Sequence, residues 1–392
     1  MIISSKLPTG DKRKVLILGN GFDLDLGRKT LYKDFYESDY CPKDYPAPLI
    51  HHLNKKWVDN MEAVKWYDLE NELYNYYNYI KSKNFKIDVY NQEERFYIDK
   101  FRNVEFLAPI NSNYKPEYKY ILQRLIDKGL LKAPLSSSYI TLSNKDLLLP
   151  PEKRDFRALQ LIKENLIKYL IDEQLKDIKE DSVAAIVTKC FSKDKTSINK
   201  CIYSFNYTNI KDRSYNSIFT ESFETKIMYV HGNVNDKNVI LGTKDGYFEE
   251  KYDFLQKAFD TKYNPPAMVY DLMNADNIII FGHSLGMNDS QYFKAFFENQ
   301  SSTKNPKSKN ITIFTKNEDS EFAIKRALQE MTNYNLSSLY GLNKLQIIKT
   351  DELYANKDKF INVLVKLFPI TKDDAQKMIN LDEDKKNINC EL

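Results

Sequence analysis

The amino-acid sequence predicts an α/β protein with a Rossmann-like parallel sheet in three layers and a large helical insertion. Short, continuous apolar runs occur at both ends of the chain, as is typical of parallel strands that are buried on both faces. The first run ends at a glycine turn. About 180 residues of different character, including segments with a helical pattern, then separate it from the second run.

The first strand is predicted at residues 15–18, where VLIL precedes glycine. The later strands are predicted at residues 202–205, 227–230, 278–281, 311–314 and 345–348. Enough chain lies between successive runs for a crossover connection, so one parallel sheet with helices on both faces accounts for all of them.

The middle of the chain is predicted to be helical. Apolar side chains recur every three to four residues between residues 66 and 80 and again between residues 156 and 178, which indicates amphipathic helices. We therefore expect a split core of residues 1–60 and 196–392. Residues 61–195 would form a helical insertion or cap over this core.

Composition and charge exclude several classes of protein. The formal net charge of +3 gives no general attraction to nucleic acid. No stretch approaches the roughly 18 apolar residues of a membrane span. The four cysteines show no C-x-x-C pairing, so we expect neither a zinc site nor a disulfide framework. These features predict a cytoplasmic protein without a metal or membrane contact.

The turn after the first strand is a candidate nucleotide site. Glycines at Gly19 and Gly21, on either side of Asn20, allow backbone N–H groups to approach an anion at a helix N-terminus. Leu24 stands where a third fingerprint glycine belongs, which disfavours hydride transfer. A carboxylate at Asp23 would repel phosphate, so Asp23 either caps the helix or accepts hydrogen bonds from a ribose or an amide. A tight turn without a ligand is the structural alternative.

Two later strands end in polar side chains. Asn206 follows the strand at 202–205, and His231 follows the strand at 227–230. Ligands of open parallel sheets bind beyond the carboxyl ends of the strands, and an imidazole can transfer protons near neutral pH. Both residues are therefore candidate catalytic groups, although a turn-closing Asn and a structural His are the alternatives.

Residues 282–286, GHSLG, match the G-x-S-x-G motif of α/β-hydrolases and follow a strand, so an esterase with Ser284 as nucleophile is the rival hypothesis. That enzyme needs a histidine later in the chain, and none follows His283. The loop is otherwise predicted to be a second nucleotide contact. Asn288 or Asp289 would then cap the next helix.

Together these motifs resemble the AbiH family of bacterial phage abortive-infection proteins. Residues 16–35, LILGNGFDLDLGRKTLYKDF, resemble the family signature, and Trp66 with residues 68–70 and residues 282–289 also match its pattern. The resemblance implies an anti-phage function.

The order of motifs is also similar to that of sirtuins and sirtuin-like NAD hydrolases of bacterial defence. This resemblance implies that Asn206 positions the ribose and a water, and that His231 contacts the ribose hydroxyls as acid-base. The residues implied to hold NAD are Gly19, Asn20, Gly21, Asp23, Gly282, Ser284 and Asn317, the last of which would reach the adenosine.

Thr208 replaces the sirtuin aspartate that touches nicotinamide, and the C-x-x-C zinc module is absent. The implied reaction is therefore metal-free cleavage of NAD to nicotinamide and ADP-ribose rather than deacylation. An NAD or nucleotide sensor without turnover, and the Ser284 esterase, stay open as alternatives. By analogy we expect a homo-oligomer, or control by a phage-derived trigger or partner protein.

Overall fold

The computed structural model of the chain describes residues 13–60, 68–84, 124–128, 130–132, 141–142, 145–194, 199–218, 225–304 and 307–380. Packing divides the chain into two compact units. The first comprises Met1–Leu31, Ile167–Ile240 and Thr261–Leu392, and the second comprises Tyr32–Leu166 and Leu241–Asp260. These units begin and end at other residues than the boundaries predicted at 60 and 195, and the predicted domain division stays a prediction.

The strands are β1 (Lys14–Leu18), β2 (Leu131–Lys132), β3 (Thr141–Leu142), β4 (Lys200–Ser204), β5 (Thr225–Tyr229), β6 (Asn277–Phe281), β7 (Asn310–Thr315) and β8 (Lys344–Lys349). The helices are α1 (Asn20–Asp25), α2 (Tyr32–Glu37), α3 (Pro48–Asn60), α4 (Leu69–Ser82), α5 (Pro151–Gln174), α6 (Val183–Lys193), α7 (Met268–Asn274), α8 (Lys294–Gln300), α9 (Glu318–Met331), α10 (Leu336–Leu342), α11 (Thr350–Ala355), α12 (Lys357–Leu367) and α13 (Lys372–Asn380).

The first unit contains one six-stranded sheet in the order β5-β4-β1-β6-β7-β8. All its neighbouring strands are parallel. Counted along the chain, these six strands stand in the order 3-2-1-4-5-6, which is the order of doubly wound dinucleotide-binding sheets. The direction of winding changes between β1 and β6, and ligands of such sheets bind beyond the strand ends at this switch point.

Alternate residues of each strand pack on opposite faces of the sheet. Leu16 and Leu18 of β1 join a core with α6, α11, α12 and α13, whereas Val15 and Ile17 join a core with α7, α8, α9 and α10. The sheet is therefore covered on both faces, which is why its strands read as continuous apolar runs. The predicted three-layer α/β fold and its six strands are confirmed.

The second unit is mainly helical and holds a buried polar group in its core. Asp155 accepts a 2.8 Å hydrogen bond from the Leu49 amide and another at 2.5 Å from the Tyr76 hydroxyl. Lys257 and Glu70 form a buried ion pair at 2.9 Å. The strands β2 and β3 form an antiparallel pair in this unit.

Both predicted helices exist, with different ends. Helix α4 begins after Asp68, whose carboxylate accepts a 3.1 Å bond from the Asn71 amide, and Trp66 lies outside the described residues. Helix α5 ends at Gln174 rather than at residue 178. The Arg28 guanidinium donates to the carbonyl of Glu173, so a side chain satisfies an orphan carbonyl of the last turn. No helix in the described part of the chain is long and apolar enough to cross a membrane.

Candidate functional site

The register of the sheet brings the predicted strand-end motifs to one edge. Leu18 lies opposite both Ser204 and Phe281, and Ser204 lies opposite Tyr229. The residues that follow β1, β4, β5 and β6 therefore leave the sheet at one level, and the switch point lies between β1 and β6. We call this end the carboxyl edge and the opposite end the amino edge.

The glycines at this edge pack two loops against each other. The Gly21 amide donates to the Gly282 carbonyl at 2.8 Å, and the Gly19 amide donates to the Phe281 carbonyl at 2.9 Å. An added Cβ at Gly21 would lie 2.6 Å from the Gly282 Cα, and one at Gly19 would lie 2.4 Å from the His283 Cα. The two amides assigned to an anionic ligand are thus used by the protein, and the glycines are explained by close packing.

Asn20 and Asp23 also bond within the protein. The Asn20 side chain accepts from the Thr30 hydroxyl at 2.6 Å and donates to the Thr30 carbonyl at 3.3 Å. Gly19 is the N-cap of α1, so the interpretation of Asp23 as a helix cap is wrong. Asp23 lies within the first turn of α1, and its side chain is part of a buried cluster.

In that cluster Asp23 accepts hydrogen bonds from the hydroxyls of Thr208, at 2.6 Å, and Tyr215, at 3.1 Å. Burial raises the pKa of Asp23 to about 6, although the Thr208 bond, the Arg28 charge and the Tyr215 bond lower it. Arg28 lies over the Tyr215 ring, with its Cζ 4.8 Å from the centroid. The Nε and Nη2 of Arg28 have no hydrogen-bond partner among the described residues.

Asn206 is a buried amide whose hydrogen-bonding groups are unused. Asn206 is 5% exposed. Within the described part of the chain, neither its Oδ1 nor its Nδ2 has a hydrogen-bond partner. The backbone is held by Ser204, whose hydroxyl accepts from the Asn206 amide at 3.2 Å. Continuing the register of β4 and β5 places Asn206 level with His231.

His231 is part of a group of two histidines and one carboxylate. Its Nε2 lies 2.8 Å from Oδ1 of Asp289, and Nε2 of His283 lies 3.4 Å from Oδ2 of the same side chain. Both histidine side chains are buried, whereas Asp289 is 22% exposed. The carboxylate therefore joins the end of β5 to the loop after β6.

Aromatic rings surround this group. The Phe205 ring lies 5.4 Å from the ring of His231 and 4.3 Å from that of His283, between centroids. The Tyr292 ring lies 5.6 Å from His231, and its hydroxyl lies 2.9 Å from that of Tyr263. Apolar walls strengthen the electrostatic interactions of the groups that they enclose.

The loop after β6 does not resemble a nucleophile elbow in its contacts. Ser284 is exposed, and its hydroxyl accepts a 3.3 Å bond from the Gly286 amide. Left-handed backbone occurs at Gly282 and Leu285, with φ +65° and +54°, and not at Ser284. The Leu285 amide donates to Nδ1 of His283 at 2.9 Å. No described histidine bonds to Ser284, so the esterase alternative gains no support from these contacts.

Asn317 is the N-cap of α9. Its side-chain oxygen accepts from the amide of Ser320 at 3.1 Å and from the Ser320 hydroxyl at 2.9 Å. The structure therefore gives this side chain a capping role, and the adenosine contact stays a prediction. Asn317 follows β7, one strand further from the switch point than the loop of Ser284.

Sequence reasoning missed His283 and Asp289 as members of the site. The sequence predicts Asn288 or Asp289 as a helix cap, but both lie inside a short 3-10 helix, Met287–Tyr292, that follows Gly286. A signal was available, because two of only four histidines follow strands that end at this edge. No group of three His, Cys, Asp or Glu side chains that could hold a metal ion occurs in the described residues.

The strand order and the parallel sheet define a Rossmann-like α/β protein, and the buried polar groups at the carboxyl edge form its candidate site. The family model described as Bacteriophage abortive infection AbiH matches residues 15–308. The match covers most of the chain, which therefore belongs to the AbiH family. This membership indicates a function in abortive infection by bacteriophage. None of the curated proteins matches the chain.

Proposed function

We propose that the chain is an abortive-infection effector that hydrolyses NAD to nicotinamide and ADP-ribose. The observation that carries the proposal is the buried amide of Asn206, whose Oδ1 and Nδ2 have no hydrogen-bond partner among the described residues. An unsatisfied buried polar group costs about 1–3 kcal/mol. A ligand that supplies an acceptor and a donor, such as a ribose hydroxyl with a water molecule, removes this cost.

The strand order supports a dinucleotide as the ligand, because sheets wound in this way bind dinucleotides at the switch point. Asp289, in the loop after β6 at this switch point, contacts His231. The similar order of motifs in sirtuin-like NAD hydrolases suggests the reaction. In this proposal the Asn20 turn, Gly282 and Ser284 border the bound NAD.

In the proposed reaction, the bond between ribose C1′ and the nicotinamide nitrogen breaks, and its electron pair leaves with neutral nicotinamide. Asn206 holds a ribose hydroxyl and the attacking water. The water oxygen forms the new bond to C1′, and its proton passes to His231 and then to solvent. The rings of Phe205 and Tyr292 keep other water from the oxocarbenium-like state. NAD depletion harms the cell, so control by a phage-derived trigger, a partner protein or self-association belongs to the proposal.

The test is to incubate purified protein with NAD and to measure the release of nicotinamide by chromatography. Wild-type protein releases nicotinamide. His231→Ala lowers the rate by about 100-fold or more, the usual contribution of a positioned acid-base group, and Asn206→Ala lowers it by about 100-fold or more because a positioned hydrogen-bonding group is lost. The exposed Asn310→Ala and His51→Ala variants serve as matched controls and retain the wild-type rate.

Two results would overturn the proposal. The first is NAD binding without nicotinamide release, even with an extract of phage-infected cells, which would establish a sensor. The second is wild-type turnover in both Asn206→Ala and His231→Ala, which would move the reaction to another site.

A further inference from the structure

We infer that the loop of residues 283–289 fixes the proton positions of His231, so that Nδ1 is its proton-exchanging atom and Asp289 is a positioning residue. The substrate in this inference rests on the proposed function. The positions of the protons do not, because they follow from hydrogen-bond contacts alone.

The argument begins at a backbone amide, which can only donate. The Leu285 amide donates to Nδ1 of His283 at 2.9 Å, so this nitrogen carries no proton and the neutral ring has its proton on Nε2. Leu285 presents its amide in the left-handed conformation, with φ +54°, which leucine rarely adopts. Its side chain is buried, at 1% exposure, and packing therefore holds the residue in this conformation.

The next contact is with the carboxylate of Asp289. Nε2 of His283 lies 3.4 Å from Oδ2, so the N–H of His283 faces the negative charge. The backbone of Asp289 is fixed by its amide, which donates to the Gly286 carbonyl at 3.1 Å. The loop thus determines the position of the Asp289 carboxylate and places the N–H of His283 opposite it.

The last contact sets the tautomer of His231. Its Nε2 lies 2.8 Å from Oδ1 of Asp289, and an ionised carboxylate only accepts hydrogen bonds. The proton of the neutral His231 ring is therefore on Nε2, and the lone pair is on Nδ1. When Nδ1 takes the proton of the attacking water, the carboxylate of Asp289 stabilises the positive imidazolium.

This chain of contacts also explains the GHSLG motif without a serine nucleophile. The residues that contribute are His283, through its ring, and Leu285, through its amide. Ser284 stands between them, with its hydroxyl bonded to the Gly286 amide at 3.3 Å.

The experiment is nitrogen NMR of protein labelled in its histidines, recorded at pH 8.5, where imidazoles are ordinarily neutral. The chain has only four histidines, and loss of one signal in His231→Gln assigns the resonances. We expect His231 to carry its proton on Nε2 and to have an unprotonated Nδ1. We expect the same tautomer in His283. A proton on Nδ1 of His231 would overturn the inference. The tautomer itself is measured on wild-type protein, and the His231→Gln variant serves only to assign the signal.

The Asp289→Asn variant tests the positioning role. A carboxamide can donate as well as accept, so we expect the Nε2 tautomer of His231 to lose its preference and nicotinamide release to fall by about 100-fold. The exposed Asp319→Asn variant removes the same charge and leaves both readouts unchanged. An unaltered tautomer in folded Asp289→Asn would contradict the role.

The two readouts separate this inference from the proposed function. If the tautomer is as expected but wild-type protein releases no nicotinamide, the reaction is wrong and the positioning of His231 stands. If nicotinamide is released by a protein whose His231 carries its proton on Nδ1, the inference fails and the proposed function stands.

Discussion

The amino and carboxyl edges of the same sheet differ in how completely their buried polar groups are hydrogen-bonded. At the amino edge, buried lysines and an asparagine use their hydrogen-bonding groups on neighbouring backbone and side chains. At the carboxyl edge, a buried amide and part of a buried guanidinium have no partner among the described residues. Because such groups are normally satisfied in folded proteins, the difference supports the proposal that the carboxyl edge binds a ligand.

The amino edge illustrates complete pairing. Lys14 forms a buried ion pair with Asp194, and the ammonium of Lys309 donates to two carbonyls. Asn343 accepts from the Lys309 amide at 3.1 Å and donates to the carbonyls of Gln300 and Leu339 at 2.9 and 3.0 Å. These contacts fasten the first residues of the strands to the helices beside them, and their role is stability.

The largest expected effect is at the amino edge. Lys200 is 2% exposed, and its ammonium donates to the carbonyls of Phe191, Ser192 and Asp194 at 3.2, 3.0 and 2.9 Å. Lys200→Met leaves these carbonyls without their donor, so we expect the free energy of unfolding to fall by about 4 kcal/mol. Lys344→Met, at the exposed first residue of β8, is the matched control and changes it by less than about 0.5 kcal/mol. Chemical denaturation measures both variants. Equal losses of the free energy of unfolding in Lys200→Met and Lys344→Met would contradict the role of Lys200.

The next effect is a pH dependence at the carboxyl edge. Burial raises the pKa of Asp23 from 3.8 to about 6, so the folded protein favours the protonated form. The stabilising contribution is complete below pH 3.8 and is lost as the pH rises through 6. We therefore expect wild type to lose about 3 kcal/mol relative to Asp23→Asn between pH 3 and pH 8. Denaturation at several pH values measures this difference, and a constant difference would show that the carboxyl is not perturbed.

A smaller effect concerns the packing of the two glycine loops. Gly21→Ala places a Cβ 2.6 Å from the Gly282 Cα, and backbone cannot move aside as a flexible side chain can. We expect a loss of about 2 kcal/mol in the free energy of unfolding. Gly341→Ala in α10 has nothing within 4 Å of the added Cβ, so it is neutral or stabilises by about 0.5–1 kcal/mol. Thermal unfolding of both variants compares them, and a harmless Gly21→Ala would mean that the loops are not closely packed.

Much of the fold could be predicted from the sequence because parallel strands that are buried on both faces contain continuous apolar runs. The level at which parallel strands end also predicts that Asn206 and His231 lie together. The rest depends on contacts between distant residues. Packing of Gly21 against Gly282, and the approach of Asp289 to His231 across 58 positions, have no local pattern. For the same reason the sequence predicts an anion-binding turn at Gly19 and Gly21, whereas the amides of these glycines donate to the carbonyls of Phe281 and Gly282.

The central claim, that the carboxyl edge is shaped for a ligand, is tested most directly by one pair of asparagines. Asn206→Ala and Asn343→Ala remove the same atoms from buried positions at opposite edges, and thermal unfolding is measured with and without ADP-ribose. We expect Asn343→Ala to lower the free energy of unfolding by about 2 kcal/mol and to keep the wild-type stabilisation by ADP-ribose. Asn206→Ala should change the free energy of unfolding by less than about 1 kcal/mol. This variant should also lose the stabilisation by ADP-ribose. Equal losses of stability and equal stabilisation by ADP-ribose in the two variants would contradict the claim.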